Sequence, residues 1–413
     1  MNLATSQARA RVLFVDDEDK ILHAMRRMLH ALKDQWDIHF LNSGEKALTY
    51  LEKNPADVIV TDMRMPGMDG AELLAEVSKR HPGTIRIVLS GFSDQSFITR
   101  TICTSHQFLD KPCNAERLTS AINRSLRLRN LISNEEIRVC LSGLNRLPCS
   151  LNTYKTFIAE ISKANTTTAS IASVIESDVA LTAKVLKLVN SAYYGVPSNI
   201  TTCRQAVQLL GLETIRSVVA MSSFLCEFED TPGLAPVLDK LGQRSMEIGT
   251  LAAEIIVNEG GSDEQKSYAL SAGLLSHVGS LLLLANFPES FQAICAICDD
   301  DGASIVDAER TVLKETHAAI GAYLLSLWGF PDLVVEAVLY HHRPSAEQSI
   351  SFGPTSAVHV AQALAKIPPN EPNADAIIAS NLDMKHLAVL GKVERLPQWR
   401  KLSIQLFEKR ERI

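Results

Sequence analysis

Asp16, Asp17, Asp62, Ser90 and Lys111 are the residues whose types and order could do chemistry. The two aspartates directly follow the apolar run "RVLFV", Asp62 follows "DVIVT", Ser90 ends "IRIVLS", and Lys111 follows "QFLD". Three carboxylates gathered at one edge repel one another unless a hard cation neutralises them, and an all-oxygen donor set suits Mg²⁺. With a hydroxyl and an ammonium added, such a constellation can accept a phosphoryl group. Mg²⁺ and Lys111 would neutralise the transferred charge while a carboxylate attacks phosphorus. Asp62 is the nucleophile in this reading, because "VTDMRMPGMDG" sets it at a strand end just before a Pro-Gly turn. Acidic residues often decorate strand ends singly; five chemically matched residues in this order argue for a site.

The elements that must position them follow from the hydrophobic pattern. From Arg11 to about Leu128 short apolar runs alternate with amphipathic stretches, and the candidate strands are "RVLFV", "DIHFL", "DVIVT", "IRIVLS" and "QFLD". Strands alternating with helices imply a doubly wound α/β fold, a five-stranded parallel sheet covered on both faces. Ligands then bind beyond the carboxyl ends of the strands, where the polar residues lie.

Over residues 9–128 the chain resembles the receiver domain of two-component response regulators, a flavodoxin-like fold. The resemblance implies that Asp62 becomes an aspartyl phosphate, that Asp16, Asp17 and Asp62 with the Arg64 backbone carbonyl hold Mg²⁺, and that Ser90 and Lys111 contact the phosphoryl oxygens. It also implies a cis bond before Pro112 and makes Phe108 an aromatic switch, with Arg64 and Phe92 flanking the site and influencing phosphoryl lifetime. A histidine kinase is the implied partner.

From Ala115 no Pro or Gly intervenes before Gly143, and Leu118, Ile122 and Leu126, followed by Leu128, Leu131 and Ile132, predict one long helix. Residues 129–145 are read as a helical linker. A heptad sustained over several repeats is absent, so a coiled-coil homodimer is left open rather than inferred. After Leu147-Pro148 helical patterns dominate. "TASIASVIESDVALTAKVLKLVNSAYYG" reads as two helices, with "SD" in an N-cap context and Gly195 as a stop.

Over roughly residues 141–345 the chain resembles the HDOD family, output domains related to HD phosphohydrolases. "LTAKVLKLVNSAYYG", "AVQLLG", "AGLL", "THAAIGAYLLSLWGFP" and "HH" carry the resemblance, which implies an all-α HD-like helical bundle over residues 146–345. Val179 stands where the family commonly has proline. In catalytic HD relatives a histidine occupies the place of Arg244, and the His-Asp doublet aligns with Ser276-His277. His317, His341 and His342 remain. A hydrolytic metal centre needs carboxylate and imidazole ligands around an activated water. With the carboxylate lost and a positive charge gained, no metal is expected in this domain, and the Gly-Tyr-Pro signature of cyclic-dinucleotide phosphodiesterases does not follow His341-His342. Residues 346–413 are read as a helical extension packing on the output domain, with Trp399, Leu402 and Leu406 on one face.

The bulk numbers set limits on the rest. A chain of 413 residues exceeds the roughly 250–300 that one core supports. Lys+Arg of 41 against Asp+Glu of 47 gives a net charge of −6, which leaves no basic field for nucleic acid, and no direct DNA binding is expected. No signal peptide and no apolar run near bilayer length are read, so the expectation is a cytoplasmic, membrane-free protein with reduced cysteines. "CAIC" at Cys295 to Cys298 reads as two small core residues on a helix rather than a zinc or redox motif. Taken together, the sequence predicts a phosphorylation-controlled signalling protein, not an enzyme, acting on a downstream protein. The alternative is a phosphorylation-gated metal-dependent phosphohydrolase using His277, His317 and His341. A third reading, nucleotide second-messenger binding, lacks a phosphate-cradling motif.

Overall fold

The computed structural model describes residues 9–90, 104–143, 147–163, 165–190, 200–223, 226–228, 234–347, 351–365, 367–368 and 371–411. Ser90 is placed in its strand, but its side chain lies outside the described set, as do Phe92 and the stop expected at Gly195.

Two compact units divide the chain; the first holds residues 1–145 with two short returning segments. Its sheet has β1 (Ala10–Val15), β2 (Trp36–Leu41), β3 (Val58–Asp62), β4 (Ile85–Ser90) and β5 (Gln107–Asp110), in the order β2-β1-β3-β4-β5 and all parallel. Between them run α1 (Asp19–Met28), α2 (Gly44–Lys53) and α3 (Gly70–Arg80). Val12 to Val15, Val58 to Val60 and Ile87 to Leu89 are all buried, as strands covered on both faces must be. On one face Leu13, Ile59 and Val88 pack with Leu48 and Leu51 of α2 and Leu73, Leu74 and Val77 of α3, and Phe108 lies half-buried against this cluster.

The long helix expected from Ala115 is two. Helix α4 (Ala115–Arg129) ends at Asn130, and α5 (Glu135–Gly143) begins after Asn134, whose side chain accepts the Ile137 N–H at 3.2 Å. No Pro or Gly is needed for the break, because Asn offers its own oxygen to the orphan amides of a new helix. Leu131, read as part of the apolar face, is 50% exposed at this junction. Helix α5 is fastened to the sheet by the fully buried Arg86 at the start of β4. Its Nη2 donates to the Ser142 carbonyl at 2.7 Å, and Nε and Nη1 donate to the carbonyls of Thr104 and Thr84. His106 accepts the Arg86 backbone N–H at Nδ1, so its Nε2 carries the hydrogen it donates to Ser142 O at 2.8 Å.

The second unit is mostly helical. Its helices are α6 (Leu151–Ile161), α7 (Thr168–Glu176), α8 (Val179–Val189), α9 (Cys203–Ser223), α10 (Leu234–Asn258), α11 (Asp263–Leu275), α12 (Val278–Asn286), α13 (Pro288–Asp301), α14 (Ile305–Leu313), α15 (His317–Leu327), α16 (Asp332–Tyr340), α17 (Pro354–Leu364), α18 (Ala374–Asn381), α19 (Met384–Val389) and α20 (Leu396–Glu411). The bundle is mostly helical, as the sequence suggested, with one short ladder added. β6 (Leu147–Cys149) and β7 (Cys226–Phe228) form a two-stranded parallel ladder, each strand too short to show a period. Asp178 caps α8, accepting the Leu181 N–H at 2.8 Å and the Ser150 N–H at 2.7 Å.

All residues of α8 and of α17 are buried, so both run through the middle of the bundle. Lys184 of α8 satisfies its ammonium on the Leu147 carbonyl at 2.9 Å. Near the C-terminus Trp399 is fully buried, stacks on Phe352 at 5.3 Å and donates Nε1–H to Glu259, which also binds Lys392 and Arg395. Leu402 and Leu406 are half-buried.

Two expectations are corrected here. Cys295 and Cys298 are only partly buried in α13, where Ile294 is the buried residue. One stretch, Asp263–Asn286, is long and apolar enough by composition to cross a bilayer, since Ser276 and His277 interrupt the run without adding formal charge. It is broken there into α11 and α12, and 72% of its apolar window is buried in the bundle.

Candidate functional sites

Parallel strands end at one edge, and the register of β1, β3 and β5 therefore gathers Asp16, Asp62 and Lys111. Lys111 Nζ lies 2.9 Å from Asp16 Oδ2 and 2.5 Å from Asp62 Oδ1. The other oxygen of Asp16 accepts the Glu18 N–H at 3.0 Å, and that of Asp62 accepts the Arg64 N–H at 3.2 Å. Asp16 is 1% exposed, and Asp17 beside it is half-buried. Burial pulls the Lys111 ammonium down, but its bonds to Asp62 and Asp16 outweigh this and hold its pKa above the ordinary lysine value. The Lys111–Pro112 bond is cis.

Two carboxylates share one ammonium, and with Asp17 next in sequence to Asp16 negative charge is in excess at this edge. The oxygens of Asp16, Asp17 and Asp62 therefore fit a hard dication such as Mg²⁺, with the Arg64 carbonyl in the following loop. The turn after Asp62 is set by Gly70. A Cβ at Gly70 would collide with the Asp62 carbonyl, so only glycine lets α3 begin this close to the strand end. The Gly70 N–H donates to the Met63 carbonyl at 3.0 Å, and Asp69 with Glu72 forms a capping box on α3.

In the second unit Ser276, His277, His317, His341 and His342 lie close together, while no hydrogen bond or ion pair joins Arg244 to them among the described residues. Ring centroids of His277 and His317 are 5.9 Å apart, those of His317 and His342 are 5.0 Å apart, and those of His341 and His342 are 4.1 Å apart. Ser276 is fully buried, its hydroxyl donating to the Gly273 carbonyl at 2.8 Å and accepting from Gln362 at 3.2 Å. Arg244 is half-buried in α10, and its guanidinium pKa is lowered by burial; Ser245, the next residue, lies 3.4 Å from His277 Nδ1.

Sequence reasoning missed Glu309. It is 2% exposed on α14, takes His317 Nδ1 at 2.8 Å and accepts the His317 backbone N–H at 2.9 Å. It also missed His359, which donates Nδ1–H to the His341 carbonyl and accepts the Asp383 N–H. Eight residues and a helix break separate Glu309 from His317, so no helical or strand period links them.

Comparison with known proteins agrees with this division. Residues 12–123 match the response regulator receiver domain, and residues 147–344 match the HDOD domain. The hydrogenase transcriptional regulatory protein HoxA of Cupriavidus necator is 33% identical over 128 residues, 30% of this chain and 26% of that protein. The response regulator protein PilR of Pseudomonas aeruginosa is 29% identical over 124 residues, 30% of this chain and 27% of that protein. The chain thus spans about a quarter of the length of these two relatives, and the shared part is the receiver. Among solved structures, the MmoQ response regulator of Methylococcus capsulatus str. Bath is 20% identical, covering 60% of this chain and 98% of that one with a TM-score of 0.42. The chain therefore joins the receiver domain of a two-component response regulator, over residues 12–123, to an HDOD domain over residues 147–344.

Proposed function

We propose that a histidine kinase phosphorylates Asp62 and that the HDOD domain, in response, binds or releases a downstream protein partner instead of hydrolysing a substrate. The observation that carries this reading is Lys111 Nζ bonded to both Asp16 and Asp62. An Asp62 oxygen attacks the phosphorus of a phosphohistidine. The O–P bond forms as the P–N bond breaks, and the histidine nitrogen leaves with the electron pair. Lys111 then stands beside the new acyl phosphate, where an ammonium neutralises its oxygens. Bound Mg²⁺ would supply further charge neutralisation, held by Asp16, Asp17, Asp62 and the Arg64 carbonyl. Ser90, at the end of β4, is the hydroxyl that would follow the phosphoryl group, and Phe108, next to the hydrophobic cluster under the pocket, is the ring whose packing would change.

Support for binding over hydrolysis comes from the place of the His-Asp doublet, which holds a serine and a histidine. The Ser276 hydroxyl is spent on internal hydrogen bonds. A gated phosphohydrolase is the second reading, favoured by the closeness of His277, His317 and His341. It requires hydrolysis that disappears in His317→Ala.

The test is phosphoryl uptake by the full chain from a small acyl-phosphate donor with Mg²⁺, read by intact mass, alongside capture of partners in both states. One phosphoryl group per chain is expected, and none in Asp62→Ala. Unchanged uptake and unchanged partner capture in that variant would sink the reading.

A further inference from the structure

Beyond the phosphorylation reading, and independent of it, the second unit holds a group of side chains arranged for a metal. One ring nitrogen each from His317, His341 and His342 lies within 4.8 Å of the others. His317 and His341 are buried, at 1% and 0% exposure, while His342 is half-buried and gives access from outside. His317 opens α15, and the other two follow the end of α16.

The tautomers can be read from the partners. Val338 O is a carbonyl and can only accept, so His341 Nδ1, at 2.7 Å, carries its hydrogen and leaves Nε2 with a lone pair. Glu309 does the same for His317: its carboxylate takes Nδ1–H at 2.8 Å, and the Nε2 lone pair points away from it toward His342, whose Nε2 is 3.1 Å distant. A carboxylate or carbonyl behind the ring is how metal-binding histidines are held and made more basic. Two nitrogens each about 2.0–2.1 Å from a tetrahedral ion are about 3.4 Å apart, close to the spacing of the His317 and His342 nitrogens.

We propose that His317, His341 and His342 form a mononuclear site for a divalent transition metal of the zinc type, with Glu309 as the residue that positions His317 and a fourth position open to water or a ligand. Imidazole ligands favour Zn²⁺ and its neighbours over Mg²⁺, so this site and the receiver pocket would select different ions. The ion would cross-link the start of α15 to the end of α16. The expectation of an empty HDOD domain rested on the missing His-Asp doublet and on the positive charge of Arg244; this site uses none of those positions as ligands.

The experiment uses the full chain in Mg²⁺ buffer, so that the receiver pocket is supplied with its own ion. Zn²⁺ is added, weakly bound metal is removed by a mild chelator, and retained zinc is counted by elemental analysis. About one zinc per chain is expected, with none retained by His342→Ala and a 10- to 100-fold weaker affinity in Glu309→Gln. Co²⁺ offered to the unmutated chain should give the visible absorption of a tetrahedral nitrogen site, which does not depend on any variant folding. Asp62→Ala should keep the zinc, which separates this site from the phosphorylation reading. Failure of the unmutated chain to retain zinc or show the cobalt band, or equal retention by His342→Ala, would overturn the proposal and leave the three rings a hydrogen-bonded histidine cluster.

Discussion

The receiver pocket and the histidine cluster solve one problem, holding like groups close together, in opposite ways. In the pocket, Asp16 and Asp62 are pulled onto a single ammonium, and the strand register decides which residues meet. In the cluster, imidazoles from α15 and from the end of α16 meet a carboxylate from α14, and helix packing decides. Both rest on a glycine. Gly70 lies against the Asp62 carbonyl and Gly279 against the His317 carbonyl, so that in each case a backbone sits where a Cβ would collide. A sheet edge therefore gathers chemistry along predictable strand ends, whereas a bundle gathers it from positions without sequence period.

The comparison can be broken most sharply at Lys111. Replacing it with methionine leaves two carboxylates facing each other without their shared cation. Without Mg²⁺ the receiver should lose about 3 kcal/mol of stability, because removing one partner of a largely buried pair is costly. Mg²⁺ should restore most of that loss and bind more tightly than in the unmutated chain. Thermal unfolding across a Mg²⁺ titration measures both, and a variant as stable as the unmutated chain in chelator would show that the ammonium is not what holds the pocket.

The glycine pair gives the next largest effect. Gly70→Ala and Gly279→Ala should each cost about 1–3 kcal/mol, the usual range for overpacking. The first should lower only the unfolding transition of the first unit, the second only that of the helical unit, where it also displaces His317. Calorimetry of the full chain tests this, and equal shifts of both transitions would deny that the two sites are independently built.

Glu176, at the end of α7, offers a smaller and pH-dependent contrast. Burial pushes its carboxyl up to about 7, against the backbone N–H groups of Cys203 and Arg204 and the charge of Arg204. A carboxyl with a raised folded pKa stabilises the fold below its unfolded value, near 4.5, and that contribution is lost as pH rises through about 7. Glu176→Gln should therefore flatten the decline in helical-unit stability between pH 4.5 and 7.5, where the unaltered carboxyl would lose about 3 kcal/mol. Parallel slopes for the two proteins would place the loss elsewhere.

Residue order alone determined the strands of the receiver sheet and the residues at their ends. Central parallel strands carry largely apolar runs, and a change to Asp, Ser or Lys marks where β1, β3, β4 and β5 stop. It also determined the separation of α7 from α8, because Asp178 is a cap residue between two apolar stretches. Tertiary structure decided what has no local signature. The break at residues 130–134 depends on Asn134 capping α5, whose end is held by Arg86 on β4 and by His106 just before β5. The β6–β7 ladder pairs segments of three residues nearly eighty positions apart in sequence. Helix α17, read as part of an extension, is buried along its whole length because α10, α11 and α16 surround it. Glu309 found His317 through packing, since a helix bundle brings side chains together by which faces are covered, and that depends on every neighbouring helix at once.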